Sequence, residues 1–470
     1  MINRIKFKIN RELTDEEIKA QKIVKQLQDN DFGAYFAGGA VRDELLGLPA
    51  HDIDIATSAK PSEIKKLFPN SYDRGKAFGV VAIKSEFAPT QGSEFEVATF
   101  RSDIGIADHR RPQKVEFTTA DVDAQRRDFT VNGLFYDPVK TEIIDFVEGL
   151  KDLKRKIVRF IGVPQKRIDE DYFRMLRAVR FASRLGFKIE DKSKEAIKTN
   201  APKISDISIE RIRDELNLIL ETKNRDWAIL EMESLGLLKE LLPEMAAMKN
   251  VPQPKEFHAE GSVWQHVLLA MKNIQKPYEA LIWAVLLHDI AKPETIGFRS
   301  KIGKTSITFF DHDVRSAEKA EKILERLRFS HHFIDTVSWA IRQHMRIINA
   351  FRGMSERKQQ KLFCDPNIQL LLDFTYADLS ASLRPNGKPD MTMYEDALKL
   401  KEKFEKETAQ EEKQQIKKFT LISGNDIIEK LDLEPGPEIG VIKAEIERAF
   451  LDGKINSRAE ALKMLEKYRK

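Results

Sequence analysis

The period of the apolar residues changes once along this 470-residue chain. Up to about residue 150, short alternating runs mix with short helical segments; beyond Asp152 almost every apolar position recurs at helical spacing. Side chains alternate across a strand and return every three or four residues on a helix, so the switch separates an α+β head with a small mixed sheet from an all-helical remainder. In the head, Tyr35-Phe36-Ala37 runs into Gly38-Gly39 and a short helix through Leu45-Leu46. Asp52 to Ala56, Phe78 to Ile83 and Phe95 to Phe100 read as strands. Pro61 to Leu67 reads as a helix with Ser58 as its cap and Pro61 in its first turn. Asp171 to Leu185, Ile209 to Glu221 and Trp227 to Leu242 read as helices, and Pro252 and Pro254 mark a linker within Met248 to Glu256. A second helical block runs from about Ser262 to Lys403. Glu405 to Lys418 reads as an exposed helix or hinge, and a small unit with Pro435-Gly436-Pro437 ends in a helix carrying Ala459, Ala461, Leu462 and Leu465. The expected domains are 1–150, 151–247, 255–403 and 404–470.

A chain of this length exceeds one ordinary core. Its 41% hydrophobic and 33% charged residues are those of a soluble globular protein, and no apolar run approaches the length that crosses a bilayer. Met1-Ile2-Asn3-Arg4-Ile5 has neither the apolar stretch nor the cleavage site of a signal peptide. Cys364 is the one cysteine, so no internal disulfide can form and a reducing cytoplasm is the expected setting. A net charge of +4 is compatible with a nucleic-acid partner without requiring one.

The strongest local signal is GGAVRDELLG, Gly38 to Gly47, followed by DIDIAT, Asp52 to Thr57. On a strand, Asp52 and Asp54 share one face and Ile53 and Ile55 the other. Adjacent carboxylates repel unless a cation lies between them, and magnesium takes such oxygen ligands together with substrate phosphates. Gly38-Gly39 before a helix allows close backbone approach and offers amide donors to a triphosphate. A third acid is expected from a neighbouring strand. Glu96 faces away from Phe95 and Val97 and is the first choice; Glu94, on the same face, is the alternative.

These motifs, continued by EVATFRSD, by RRP at Arg110 to Pro112, by RRDFTVNGLFYD at Arg126 to Asp137, by EDYFRMLRAVRF at Glu170 to Phe181 and by ISIERIRDEL at Ile207 to Leu216, resemble the bacterial class II tRNA nucleotidyltransferases and poly(A) polymerases over the first 250 residues. The resemblance implies a five-stranded nucleotidyltransferase head followed by a helical neck and body. It implies CTP and ATP as substrates, a tRNA 3′ end as acceptor, and magnesium as the head's cofactor. Residue by residue it implies Asp52 and Asp54 as metal ligands, Arg42 on phosphate, Arg127 and Asn132 on triphosphate and sugar, and Asp128 among the nucleotide contacts. Gly133 stands where alanine is common in the family.

On a helix, Asp171 and Arg174 would be three apart and share a face. An aspartate accepts from the amino group of cytosine or adenine while an arginine donates to the ring acceptors; uracil and guanine present an acceptor where the aspartate needs a donor. The pair is therefore expected to act as a protein template for C and A, which is also the family's use of this motif. Arg167, Arg177, Arg180 and Arg184 add cationic faces for triphosphate or RNA backbone, or partners for Asp169 and Glu170.

In the second block, His266 lies in EGSVWQHVLLA, His288-Asp289 in LLHDIAKP, His312 in FFDHDVRSAEKA, His344 in IRQHM and Asp378 in YADLSAS. This order resembles the HD superfamily of metal-dependent phosphohydrolases over roughly Val263 to Ser382. The resemblance implies His266, His288, Asp289 and Asp378 as core ligands of a divalent transition metal or magnesium, with His312 and His344 holding a second ion. It also implies hydrolysis of phosphomonoester or 2′,3′-cyclic ends. Three other readings remain open. A poly(A) polymerase would carry a basic signature that YDRGKAFGVVAIK lacks. An A-only enzyme fits the departure at Ile106, where an aromatic residue is frequent, while the full-length segment Arg101 to Val115 argues against a CC-only one. A phosphohydrolase with an RNA-binding head is the reading of another class.

Overall fold

The computed structural model describes residues 3–49, 52–75, 78–84, 94–107, 111–301, 304–351, 353–417 and 421–468. Of the sequence motifs, Arg110 in RRP and Lys76-Ala77 in YDRGKAFGVVAIK lie outside them, as do Met1-Ile2 and Lys418. By internal contacts the chain forms two units, one of residues 1–342 with 380–389 and one of 343–379 with 390–470.

The first unit begins with the head. Its strands are β1 (Asn3–Lys6), β2 (Ala34–Ala37), β3 (Asp54–Thr57), β4 (Ser71–Gly75), β5 (Val80–Lys84), β6 (Glu94–Thr99), β7 (Arg101–Ala107), β8 (Arg111–Phe117), β9 (Leu134–Asp137) and β10 (Glu142–Asp145). Eight of them make one sheet in the order β1-β10-β9-β2-β3-β6-β5-β4, in place of the expected five, while β7 and β8 form a separate hairpin. Only the β3–β6 pair in this sheet is parallel.

The head helices are α1 (Asp15–Gln28), α2 (Gly39–Leu45), α3 (Pro61–Leu67) and α4 (Ala120–Arg126). Thr14 and Glu17 close a capping box on α1, whose Ala20, Ile23, Val24 and Leu27 are buried at the spacing of one helix face. Pro61 opens α3 as expected, but the cap is Lys60, whose backbone N–H is taken by Glu63. Ser58 instead accepts from the Gly33 N–H at 2.9 Å. Ala37, Ala56, Phe100, Ala124, Phe135 and Ile144 make one core cluster of the head.

The helical part of this unit includes α5 (Gly149–Arg155), α6 (Pro164–Glu170) and α7 (Arg174–Leu185). On α7, Met175, Leu176, Ala178, Val179 and Ala182 are buried, and Gly186 ends the helix in the left-handed conformation at φ +66°. The region beyond Asp152 is not wholly helical. Ile157–Val158 pairs with Lys188–Ile189, and Ile296–Lys301 and Lys304–Phe309 form an antiparallel hairpin. The sequence reading missed the hairpin because its strands are short and flanked by helical patterns on both sides.

The second unit includes the helices Glu356–Phe363 and Thr392–Lys417 and a terminal cluster of three helices. That cluster closes over Ile427, Ile442, Ile446, Ala461 and Leu465, and Pro437 occupies the first turn of its helix Pro437–Leu451. Among the described residues no helix is long and apolar enough to cross a membrane.

Candidate active site

Between β2 and α2 the chain turns at Gly38, with φ +73° and ψ −132°. A Cβ there would stand 3.1 Å from Arg127 Nη1 and 3.9 Å from Asp54 Oδ2, so the backbone passes between a cation and a carboxylate where only glycine fits without strain. Asp54 opens β3 and Asp52 lies two residues ahead of it, outside the strand. Both line a cleft of about 710 Å³, together with Gly38, Gly39 and a wall of arginines.

The strand register chooses between the two candidate third acids. Ile55 pairs with Val97 on parallel β3 and β6, so one step back on each strand Asp54 and Glu96 are neighbours on one face. Glu94 lies a further two residues away, where Tyr72 donates to it at 2.7 Å. Glu96 itself pairs with Arg74 at 3.2 Å and is not part of the cleft lining. The Asp54 carboxyl is pushed above its usual range, first by desolvation and then by the Glu96 charge, with Asp52 adding and Arg127 opposing. Carboxylates that resist joint ionisation are a donor set for a hard divalent cation.

The arginine wall is built on α7. Arg174, Arg177, Arg180 and Arg184 all reach the cleft. Arg177 pairs with Asp128 at 2.5 Å, Arg180 with Glu215 at 2.7 Å and Arg184 with Asp43 at 2.9 Å. The guanidiniums of Arg42, Arg177 and Arg180 lie 5.1, 5.2 and 4.6 Å from the centre of the Phe181 ring, which keeps like charges close through its π faces. Asp43 and Phe181 were absent from the sequence-based site. The four-residue spacing from Arg177 to Phe181 on one helix was the available signal for the latter.

Arg42, Asn132 and Asp128 are held in an internal network. Arg42 is 1% exposed; it pairs with Asp43 at 2.6 Å and donates to Asn132 Oδ1 at 2.5 Å. Asn132 Nδ2 donates to Asp128 Oδ1 at 3.0 Å, and the Phe129 N–H donates to the same oxygen at 2.7 Å. Desolvation favours the neutral form of Asp128, but the Arg177 charge and the Asn132 hydrogen bond override it and hold the carboxyl below its usual range. Arg127 pairs with Asp123 at 3.1 Å and lies over the Phe135 ring.

Asp171 and Arg174 do not share a helix, which corrects the expectation of a continuous helix from Asp171. α6 ends at Glu170, Asp171 is extended at φ −156° and ψ 105°, and α7 starts at Arg174. The physical reason is local. Asp171 Oδ1 accepts from the Phe173 N–H at 3.1 Å, a side-chain-to-backbone bond that competes with helix continuation. Both residues still line the cleft. Desolvation raises the Asp171 carboxyl, with the Phe173 hydrogen bond and the Arg211, Arg174 and Arg177 charges opposing. Arg174 donates to Glu170 at 2.5 Å and to the Arg167 carbonyl at 2.8 Å.

A second cluster lies in the helical part of the first unit. His288 Nδ1 is 2.8 Å from the Val285 carbonyl and His312 Nδ1 is 3.0 Å from the Phe309 carbonyl, so each ring donates there and turns Nε2 the other way. The Nε2 atoms stand 3.2 and 3.8 Å from the Asp289 carboxylate, which also takes Lys292 at 2.7 Å. Desolvation would raise Asp289, but His288 and Lys292 hold it well below the usual carboxylate range. His266 and His258 both point Nδ1 at Glu260 Oε1, at 2.9 and 2.7 Å, and Glu260 Oε2 accepts from the Leu383 N–H at 2.8 Å. Desolvation opposes ionisation of Glu260, yet the hydrogen bonds from His258 and His266 bring its pKa down to about 2. His266 and His288 offer ligand atoms within 4.8 Å of one another, as do Asp289 and His312. Imidazoles anchored through one nitrogen beside a buried carboxylate are the donor chemistry of a transition-metal site. His258 and Glu260 were missed from sequence. Of the remaining expected ligands, His344 is buried in the second unit with its ring 5.6 Å from Phe374, and Asp378 is half-buried in the same unit.

Comparison with known proteins bears on both regions. Residues 34–159 match the Poly A polymerase head domain, residues 186–249 a probable RNA and SrmB-binding site of polymerase A, and residues 262–381 the HD domain. The CCA-adding enzyme of Lactobacillus delbrueckii subsp. bulgaricus is 42% identical over 242 residues, which are 51% of this chain and 59% of that protein. The chain thus spans little more than half the length of several curated relatives it matches. The CCA-adding enzyme of Streptococcus pneumoniae is 30% identical over 453 residues, 96% of this chain and 97% of that one. Among solved structures, the Bacillus stearothermophilus CCA-adding enzyme in complex with CTP superposes with a TM-score of 0.58 at 26% identity, covering 97% of this chain and 98% of that one. With a near-full-length relative at that identity and the same order of head, RNA-binding and HD regions, the chain belongs to the family of CCA-adding enzymes.

Proposed function

We propose that the protein adds C, C and A to the 3′ end of tRNA, drawing on CTP and ATP. The observation that carries this reading is one cleft lined by Asp52 and Asp54, by the Gly38 turn and by the α7 arginines. Asp52 and Asp54 would hold magnesium, with Glu96 setting the charge on Asp54. Bound there, a metal pair supplies activation of the 3′-hydroxyl and neutralisation of the triphosphate and leaving pyrophosphate. The chain's own residues orient the nucleotide: Arg127, Arg177 and Arg180 meet phosphate oxygens, while the Arg42–Asn132–Asp128 network fixes the wall against which sugar and base lie. The test supplies purified protein with tRNAs lacking CCA, CA or the final A, and each nucleoside triphosphate separately. Stepwise C, C, A addition is expected. Addition of A alone, or of an A tract, would replace this reading with an A-adding enzyme or a poly(A) polymerase. The division into 1–150, 151–247, 255–403 and 404–470 accompanies the proposal.

Base choice is assigned to Asp171 and Arg174, converging on the cleft from either side of the helix break. Replacing Asp171 with Ala removes the acceptor for the amino group, at about 1–3 kcal/mol of discrimination. Incorporation of UTP and GTP relative to CTP and ATP is expected to rise by roughly 5- to 150-fold. Unchanged selectivity at an unchanged rate would take the template role away from this pair.

The HD region is proposed as a second, metal-dependent phosphohydrolase site. His266, His288, Asp289 and His312 would hold a divalent transition metal or magnesium, and the sequence order assigns Asp378 and His344 to the same set. A metal there supplies an activated water for attack on a phosphoester. Glu260 fixes the tautomer of His266: a carboxylate only accepts, so His266 must donate through Nδ1, leaving Nε2 for the ion. Glu260→Gln is expected to lower metal affinity about 10- to 100-fold, read by calorimetric titration with manganese or nickel. Equal affinity in both proteins would remove that role.

A further inference from the structure

The hairpin formed by Ile296–Lys301 and Lys304–Phe309 pairs Ile296 with Phe309 and Phe298 with Ile307. Cross-strand partners project to the same face, so Ile296, Phe298, Ile307 and Phe309 make one apolar side of a two-stranded ribbon. Phe298 is 71% exposed and Phe310, just past the ribbon, 79%; these are the two most exposed large hydrophobic side chains among the described residues. Aromatic rings left this open bury little of their surface in their own fold and are accessible to a ligand.

The foot of the ribbon is joined to the second cluster. The Phe309 carbonyl takes the His312 Nδ1 hydrogen bond at 3.0 Å, and Lys292, which pairs with Asp289 at 2.7 Å, lies 5.1 Å over the Phe309 ring. The segment from Ile296 to Phe310 contains Arg299, Lys301 and Lys304 and no acidic residue. The register turns Arg299 to the face opposite Phe298. An open aromatic face on a positively charged segment, beside a candidate phosphohydrolase cluster, suits an unpaired polyanionic strand whose bases stack on the rings.

We propose that this hairpin is a stacking platform for one or two unpaired nucleotides at an RNA 3′ end, placing the terminal phosphate toward the Asp289 cluster. The inference rests on the proposed phosphohydrolase site and adds to it a device for selecting RNA ends over small phosphoesters.

The experiment compares the full-length protein with Phe298→Ala, Phe310→Ala and the double variant. Hydrolysis is measured on a short single-stranded RNA ending in a 2′,3′-cyclic phosphate and on a base-free ribose 2′,3′-cyclic phosphate, which has no aromatic ring to stack. Loss of stacking is expected to raise KM for the RNA about 5- to 150-fold in the double variant, with kcat and turnover of the base-free cyclic phosphate unchanged. In parallel, RNA carrying 4-thiouridine near its 3′ end is photo-crosslinked and the attached peptides mapped, a readout that needs no hydrolysis. Crosslinks to the 296–310 segment that disappear in the double variant support the platform. Absence of those crosslinks, an unchanged KM, or parallel loss on both substrates overturns it. A wild type that crosslinks there but hydrolyses neither substrate overturns the phosphohydrolase reading and leaves the RNA platform standing. Wild-type self-association in sedimentation that the double variant abolishes would assign the face to a second copy and overturn the RNA proposal.

Discussion

Asp54→Ala will reduce nucleotide addition at least about a thousandfold while the protein stays folded, because a metal-held triphosphate contributes several kcal/mol of transition-state stabilisation that no other side chain can replace. The charge balance around Asp54 makes the fold tolerant of the change. Its carboxyl is raised by desolvation and by Glu96, with Asp52 adding to the repulsion, so removing it relieves an unfavourable group. The melting temperature should hold or rise. Asp52→Ala should lose activity to the same extent with the same thermal stability. Measuring C and A addition beside a thermal melt separates the two effects. Normal addition by either variant would end the metal assignment, and a collapsed melting temperature would show that the carboxylate is structural.

The second large effect is expected in the helical region. His288→Ala with Asp289→Asn should empty the metal site and abolish metal-dependent hydrolysis of 2′,3′-cyclic nucleotides, assayed with nickel, manganese or magnesium, while C and A addition continues. Asparagine is chosen at 289 for a physical reason. Lys292 is 6% exposed and leans on this carboxylate at 2.7 Å. Alanine would strand a buried cation at a cost of about 3–5 kcal/mol and confuse a lost ligand with a lost fold; the amide oxygen retains a partner for the ammonium. The metal site proposed for the head uses other carboxylates, Asp52 and Asp54, and should not respond. No hydrolysis by the wild type with any metal, or equal hydrolysis by both proteins, would remove the catalytic reading of the HD region.

Much of this site was legible because it depends on local spacing. Strand alternation is a property of the chain alone, and it put Glu96 and Glu94 on one face of β6 and both away from Phe95. Four arginines spaced three, three and four residues apart on α7 form one stripe wherever that helix packs. The order of histidines and acids from His266 to Asp378 was likewise visible without a structure.

What required the tertiary structure was whatever depends on partners distant in sequence. Alternation made Glu96 the first choice and kept Glu94 on the same face as the alternative; the parallel register of β3 against β6 is what sets Glu96 beside Asp54. The helix pattern ran unbroken through Asp171 because apolar spacing does not register a side chain that captures a backbone N–H two residues on. The sequence presents Arg42, Asn132 and Asp128 singly, as nucleotide contacts; all three line the cleft, and only the folded chain joins them into one hydrogen-bonded network across up to 90 positions of sequence. Glu260 gave no signal at all, since its importance lies in two imidazoles and a backbone amide, the last of them 123 residues away, that folding brings to one carboxylate. Sequence fixes which groups are available and on which face of an element they lie. Pairing of charges and hydrogen bonds between elements is settled only when the chain closes, because burial without a partner is the cost that tertiary packing must avoid.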